Sequence, residues 1–418
     1  MYRYRTLSIV LFVVALLGLT ACSPFQSNTK IKAEDMMNKR TAASVSNLSP
    51  DATFIANTAD FSIQLFQETF AGKQNTLISP LSVLQALAMT ANGADRETLA
   101  QMENLLGQGM KLAELNPYLH TYTQSLLNGE DGTLKLANSI WFNDDEKRLR
   151  VEPDFLQTNA DYYKAAAYRA AFDHGTVADI NRWVNNNTDG LIDQMVEELN
   201  PNAVMLLINA IVFEAEWESP YLATSVRKDT FTAADGSKLT LDMMNSAEYK
   251  YVNDGQATGF IKPYTNHKYS FVALLPDESI AIEEYVASLT GASWLKAIGD
   301  AEATAVHAVL PKFKYDYAAS MNETLRKLGI PDAFSQDKAD FSKLGTSPAG
   351  NIFIGDVLHK AYISVDELGT KAGAATKVEM LAGSAPNFIT VKLDRPFVYA
   401  IIDDETKLPI FIGVMMGV

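Results

Sequence analysis

The chain has 418 residues, 47% of them hydrophobic and 20% charged, with a formal net charge of −15. That composition fits a folded globular chain with a large core and excludes a disordered one. So acidic a chain suits neither the phosphate backbone of nucleic acid nor a bare anionic membrane, and neither is expected as a partner.

Residues 1–21 stand apart: Arg3 and Arg5 precede an apolar run from Leu7 to Leu19 that is too short for an ordinary membrane span. This reads as a secretion signal. It ends in Leu19-Thr20-Ala21-Cys22, which resembles the lipobox of bacterial lipoproteins, where the cysteine is lipidated and becomes the new N-terminus. Cys22 is the only cysteine, so on this reading the mature chain has neither a free thiol nor a disulfide, and packing alone must stabilise it. Ser23, rather than Asp, after the cysteine is similar to the sorting pattern for the outer membrane of Gram-negative bacteria. The lipid would be the only membrane attachment, and the alternative location is extracellular. Losing the signal removes two arginines and no acid, which makes the mature chain two units more negative. From residue 22 to residue 50 the chain is rich in Ser, Thr, Asn and Lys and is expected to be a flexible tether.

Residues 51–418 contain no Pro/Gly-rich linker, low-complexity run or internal repeat, and are expected to form one domain. Apolar residues near helical spacing predict a helix from Asp51 to Phe70. Ser79-Pro80 opens another, with Ser79 as cap, Pro80 in the first turn and Gly93 at its end. Further helices are expected around Val177–Asn187 and Tyr317–Leu328. Val204–Phe213 and Tyr269–Leu275 are nearly continuous apolar runs, as in strands buried on both faces. Phe397–Ile402 and Pro409–Val414 flank Asp403-Asp404-Glu405-Thr406-Lys407 as a hairpin. Helices first and antiparallel strands later indicate an α+β fold.

Enzyme chemistry finds little support in the residues. The five histidines, His120, His174, His267, His307 and His359, are scattered, and no pair has the i, i+4 spacing of a zinc helix. Gly345-Thr346-Ser347-Pro348-Ala349 approaches a nucleophile elbow but lacks the final Gly. Pro348 has no backbone N–H to supply the oxyanion hole that follows such a serine. No phosphate loop or dinucleotide fingerprint is present, so no cofactor is expected.

The segment Glu367–Pro386 carries two signatures at once. Its small residues suit a loop, yet from Thr370 onward polar and apolar positions alternate: Thr370, Ala372, Ala374, Thr376, Val378, Met380 and Ala382 fall on even numbers, and Lys371, Lys377 and Glu379 on odd ones. That is the two-residue period of a half-buried strand, written in weak strand formers. Taken alone, it fits an Ala-rich linker or a short helix capped by Thr370 equally well.

Several motifs occur in the order found in serpins, and the chain is identified as resembling that family over residues 51–418. Asn75-Thr76-Leu77-Ile78-Ser79-Pro80-Leu81-Ser82 is similar to the family's helix-opening motif, and Leu136-Ala137-Asn138-Ser139-Ile140-Trp141-Phe142 to its second central strand. Leu207-Ile208-Asn209-Ala210-Ile211-Val212-Phe213 with Trp217 resembles its third. Leu310-Pro311-Lys312-Phe313, Asp332-Ala333-Phe334, Ala339-Asp340-Phe341-Ser342, His359-Lys360-Ala361 and Arg395-Pro396-Phe397 follow in family order. The resemblance implies a largely helical N-terminal half and three β-sheets, the largest of which accepts the reactive loop as an extra strand.

The function implied is a suicide substrate rather than an enzyme. A protease serine attacks the loop, the loop inserts, and a covalent acyl-enzyme complex is trapped. Strand addition to a sheet is a general mode of recognition, of which loop insertion in serpins is itself a standard example. The resemblance makes residues about 367–390 the reactive loop, with Glu367, Gly369, Thr370, Ala372, Gly373, Ala374, Ala375 and Thr376 as its hinge. Leu368, Lys371 and Gly373 depart from the commonest hinge pattern. Counting forward from Glu367 by the family's usual spacing places the scissile bond at Gly383-Ser384, with Met380, Leu381 and Ala382 as alternatives. Leu or Met suits a chymotrypsin-like pocket and Ala or Gly an elastase-like one, while subtilisin-like and cysteine proteases are further candidates. No basic residue lies near the cut, so trypsin-like enzymes are not expected targets. Ser79, Ser82, Asn209 and His359 match the family's shutter, and Trp217, Lys312 and Glu367 its breach. The expected partner is a serine protease engaged by a monomer. The alternative is a non-inhibitory serpin that binds or scaffolds; an unrelated hydrolase would be the third reading.

Overall fold

The polar N-terminal stretch ends at Asp51, whose Oδ1 accepts from the Phe54 amide at 2.8 Å and caps the helix Ala52–Thr69. This satisfies one of the orphan donors of the first turn. The helix buries Phe54, Phe61, Ile63, Leu65 and Phe66. Ser79 caps the next, Pro80–Ala91, with its side chain accepting from the Ser82 amide and Pro80 in the first turn. All twelve residues of that helix are buried, as expected of a segment apolar around its whole circumference. It lies against both the strand Met205–Phe213 and the strand Pro409–Met415.

The computed structural model describes residues 30–38, 40–127, 134–145, 149–200, 203–265, 267–348, 350–370 and 388–417. Two units are distinguished, Met1–Ile31 and Lys32–Val418. Of the first, only residues 30 and 31 are described, and the fold is that of the second.

Three large sheets and one two-stranded ladder are present among the described residues. The central eight-stranded sheet runs, in spatial order, Glu34–Asp35, Ala166–Ala170, Leu134–Asn143, Met205–Phe213, Asp356–Val365, Gly369–Thr370 and Ala215–Glu216, with Phe313–Ser320 also paired to Asp356–Val365. A six-stranded sheet contains Ala257–Pro263, Tyr269–Pro276, Phe397–Asp403 and Pro409–Met415, the last two joined as the expected hairpin. A four-stranded sheet has the order Ile389–Lys392, Val306–Pro311, Lys238–Glu248, Val226–Thr232. The α+β expectation holds. All nine residues of Met205–Phe213 are buried; the odd-numbered ones Met205, Leu207, Ile211 and Phe213 join the main core, and the helix His174–Asn187 packs on the central sheet against Leu134–Asn143.

The helix expected over Tyr317–Leu328 is shorter. Phe313–Ser320 is a strand paired along its whole length to Leu358–Val365, and only Asn322–Lys327 is helical. The reason is period: Phe313, Tyr315, Tyr317 and Ala319 are more buried than their neighbours Lys314, Asp316, Ala318 and Ser320, an alternation that suits a strand.

The tether expectation also needs correction from Lys32 onward. The Lys32 and Ala33 amides donate to Asp179 Oδ2 at 2.7 and 2.8 Å, and Glu34–Asp35 pair with Tyr168 and Arg169 at the edge of the central sheet. Met36 donates its amide to the Ala167 carbonyl, and Met36 and Met37 pack against the core. Farther on, the Ala43 amide reaches Asp161 and the Leu48 amide Thr121. An open strand edge supplies unpaired backbone groups, and two methionines supply apolar area, so a polar-looking segment docks.

Asp179 is buried and also holds Arg182 at 2.7 Å. Replacing it with Ala leaves two strand-edge amides without their acceptor, which typically costs about 1–3 kcal/mol. Asp179→Ala is expected to speed amide exchange at residues 32–36 and to lower the urea midpoint. Unchanged protection there would refute this account of the docking.

Candidate functional site

The central sheet is closed over only part of its length. Asp356–Ala361 pairs in parallel with Leu206–Ile211. Above that, the strand turns through Asp366–Leu368, and Gly369–Thr370 returns as a two-residue strand wedged between Val365 on one side and Ala215–Glu216 on the other. The turn is held from within: Asp366 Oδ1 accepts from the amides of Leu368 at 2.8 Å and Gly369 at 3.2 Å, an Asx-type arrangement. A Cβ at residue 369 would come within 2.0 Å of the Ala215 carbonyl oxygen. Only glycine fits this approach.

The turn is also clamped from outside. Trp217 donates its amide to the Leu368 carbonyl and its indole N–H to the Asp366 carbonyl, both at 2.8 Å, and the Tyr221 amide donates to the Glu367 carbonyl at 2.8 Å. Lys312 Nζ bonds both Glu367 carboxylate oxygens, at 2.8 and 2.7 Å. Burial pushes the Glu367 carboxyl up, but the hydrogen bonds and charge of Lys312 outweigh that and hold it below its ordinary value. Thr370 is 1% exposed, and its hydroxyl meets that of Tyr264 at 2.6 Å. Tyr264 stacks on Trp217 with centroids 4.6 Å apart and takes Phe213 edge-on. The even-numbered Thr370 therefore faces the core, as the alternation requires. Leu368 enters through its carbonyl, the acceptor for Trp217.

Trp217, Lys312 and Glu367 thus meet around one turn. Sequence reasoning missed Tyr264, Tyr221, Asp366 and a buried ion pair behind them. Lys262 Nζ lies 2.8 Å from Glu248 and 2.9 Å from the Ser219 carbonyl, with the Tyr221 ring 4.5 Å away. The one available signal is a lysine inside the apolar run Phe260-Ile261-Lys262-Pro263.

Ser79, Ser82, Asn209 and His359 converge deeper in the sheet, all at 1% exposure or less. His359 and Asn209 are direct cross-strand partners. His359 Nε2 accepts from the Ser79 amide at 3.2 Å, so the ring proton sits on Nδ1 and is donated to Asn209 Oδ1. Ser82 donates to the same oxygen at 2.7 Å, and Asn209 Nδ2 donates to Asn138 Oδ1 on the neighbouring strand. Asn138, which the sequence did not single out, extends the cluster.

The expected roles of Cys22, Ala372, Gly373, Ala374, Ala375, Thr376, Met380, Leu381, Ala382, Gly383 and Ser384 fall outside the described residues. The described chain resumes at Phe388 and enters a strand at Ile389. Gly345-Thr346, from the weak elbow motif, pairs with Arg150–Val151 as a two-stranded ladder.

A family model described as Serpin (serine protease inhibitor) matches residues 56–417. The chain belongs to the serpin family. The crystal structure of the thermophilic serpin tengpin in its native state is 53% identical, with a TM-score of 0.89, over 92% of this chain and 100% of that one. Tengpin in its latent state aligns with a TM-score of 0.80 at 53% identity, over 89% of this chain and 100% of that one. Leukocyte elastase inhibitor A of Mus musculus is 30% identical over 386 residues, 86% of this chain and 97% of that protein. Serpins are protease inhibitors as a family rather than catalysts, and the large central sheet of this chain is that of a serpin.

Burial depresses the His359 pKa from 6.5 to about 3. Between those values the unfolded chain binds a proton that the folded chain refuses, so this contribution is complete above about pH 6.5 and is lost as pH falls toward 3. The slope is up to about 1.4 kcal/mol per pH unit. His359→Gln is expected to flatten the pH dependence of the urea midpoint between pH 6.5 and 5, above the range where most carboxylates titrate. Parallel curves for variant and wild type would refute the assignment.

Proposed function

We propose that this serpin inhibits serine proteases as a suicide substrate, with the cut at Gly383-Ser384 or within Met380–Ala382. The observation that carries this reading is the Gly369–Thr370 strand, already seated at the top of the sheet opening and paired on both sides. A strand continued downward in that register would bring Thr376 between Asn209 and His359, the cross-strand pair of the shutter. The alternation then puts Thr370, Ala372, Ala374, Thr376, Val378 and Met380 toward the core and Lys371, Lys377 and Glu379 outward. Each new row would exchange one parallel pairing for two antiparallel ones, so insertion is favoured by hydrogen bonding as well as by burial.

The small residues Ala382 and Gly383 support an elastase-like target, and the mouse relative is named for inhibiting leukocyte elastase. The Leu381 and Met380 alternatives support a chymotrypsin-like one. No cofactor is required by this reading. A covalent acyl-enzyme complex with one protease per chain is its direct consequence.

Incubating the chain with elastase, chymotrypsin and subtilisin should give an adduct stable on denaturing gels, with release of a C-terminal peptide beginning at Ser384 or nearby. Ala374→Arg would put a charge at an even-numbered position that the alternation turns toward the core on insertion, which opposes insertion. That variant is expected to be cut at a similar rate but to trap at least roughly tenfold less enzyme, as a desolvation cost above about 1.4 kcal/mol implies. Clean cleavage of the wild type by all three enzymes, with activity retained, would favour a non-inhibitory binding or scaffold serpin instead.

The lipobox-like end of the signal supports a second element: lipid on Cys22 holds the inhibitor at a bacterial envelope, in the outer membrane given Ser23. Labelled palmitate should enter the wild type and not Cys22→Ser, and only the wild type should sediment with membranes. Equal partitioning of the two would eliminate the anchor.

A further inference from the structure

A lysine within the run Phe260-Ile261-Lys262-Pro263 would ordinarily carry its charge to solvent. Lys262 instead is 1% exposed, and its partner Glu248 is 5% exposed. Well-packed apolar side chains of similar volume stabilise such a position as well as a buried ion pair does. What the pair adds is direction.

It stands where three sheets meet. Lys262 belongs to Ala257–Pro263 of the six-stranded sheet and Glu248 ends Lys238–Glu248 of the four-stranded one, while the turn Asp366–Leu368 joins two strands of the central sheet. Lys262 Nζ donates to Glu248 Oε1 at 2.8 Å and to the Ser219 carbonyl at 2.9 Å. The same carboxylate oxygen accepts from the Ser246 hydroxyl at 2.6 Å, so the acid is itself fixed. The ammonium lies 4.5 Å from the centre of the Tyr221 ring and 5.4 Å from that of Trp217, within the range of cation–π attraction.

Ser219 is the midpoint of the segment that grips the turn. Two residues before it, Trp217 donates its amide to the Leu368 carbonyl and its indole N–H to the Asp366 carbonyl; two residues after it, the Tyr221 amide donates to the Glu367 carbonyl. Backbone pairing ties this segment down as far as Glu218, whose amide donates to the Pro263 carbonyl. At Ser219 the tie is Lys262. We infer that Lys262, held by Glu248, is a positioning residue for loop insertion: it fixes residues 217–221 so that their three donors keep the turn, and the seated strand Gly369–Thr370, in register for the next row. It acts through Trp217 and Tyr221. A strand that grows from a fixed start adds rows at once, whereas a loose one must first find its register, and after cleavage that delay favours hydrolysis of the acyl-enzyme over trapping. The effect on trapping rests on the inhibitor reading above; the positioning does not.

A buried charge that loses its partner is strongly destabilising, whereas removal of both charges is close to neutral. Lys262→Met should therefore lower the melting temperature of the full chain, and Lys262→Met combined with Glu248→Leu should recover most of it. A purely structural pair would be replaced in every respect by that double variant. A positioning pair would not, because the bond to the Ser219 carbonyl stays lost. In the double variant, amide exchange at Trp217 and Tyr221 should be about tenfold faster than in the wild type, as loss of one charge-assisted hydrogen bond implies, while exchange within Phe397–Asp403 stays slow. With whichever of elastase, chymotrypsin and subtilisin the wild type traps, the ratio of adduct to cleaved chain should fall by a similar factor. Wild-type exchange at Trp217 and Tyr221 in the double variant would overturn the inference, as would faster exchange there with an unchanged adduct ratio. So would exchange that rises equally within Phe397–Asp403, because the pair would then support the whole fold rather than the grip on the turn. If the wild type traps none of the three proteases, the inhibitor reading fails on that result alone, and exchange at Trp217 and Tyr221 still decides the positioning.

Discussion

The structure depends on one unfinished pairing. Met205–Phe213 and Asp356–Val365 meet in parallel over six rows and then diverge, so a sheet that could close is held open at its upper end by a two-residue strand. Parallel pairing is the weaker kind, and it lies where a new antiparallel strand would gain partners on both sides. Packing elsewhere is conventional: a helix buried around its circumference backs the sheet, and a six-stranded sheet with aromatic layers lies beyond it.

Two polar clusters lie along that pairing, and they differ in chemistry. The cluster around His359 is neutral, an Asn–His–Ser set in which each ring nitrogen of His359 has one hydrogen-bond partner. Such a cluster holds two strands together without a charge that would have to be desolvated again if they part. The cluster around Trp217 uses charge and aromatic stacking. Its Lys312–Glu367 pair is about one-third exposed on each side, so solvent screens it, and its contribution is to orient the turn more than to stabilise it. Trp217 does the holding, through two hydrogen bonds to the turn and a stacked Tyr264 that reaches Thr370.

The sheet edges distribute the remaining duties. One edge of the central sheet is covered by the protein's own residues Glu34–Asp35, which removes an unpaired backbone template. The four-stranded sheet carries a groove on its outer face, lined among others by Tyr221, Asn245, His307 and Phe388. Tyr221, whose amide donates to the Glu367 carbonyl, lines that groove.

The sequence by itself determined the class of fold, the helices from Ala52 and Pro80, the second with its Ser79 cap, and the buried strands, and family order marked the residues that gather around Trp217 and around His359. These are encoded locally, in cap residues, in apolar periods and in contiguous motifs. The inward face of Thr370 was legible for the same reason, since a two-residue period needs no partner to be seen. Other features were settled only in three dimensions. Tyr264, Asn138 and Lys262 look ordinary in sequence and acquire their roles from neighbours distant along the chain: Thr370, Asn209, and the Trp217 and Tyr221 rings. Residues 32–50 read as a tether because docking on a strand edge uses backbone amides, which composition does not register. Tyr317 read as helical until pairing with Asp356–Val365 gave it a facing partner. Local pattern fixes what a segment can be, and long-range pairing selects which of its possibilities the chain adopts.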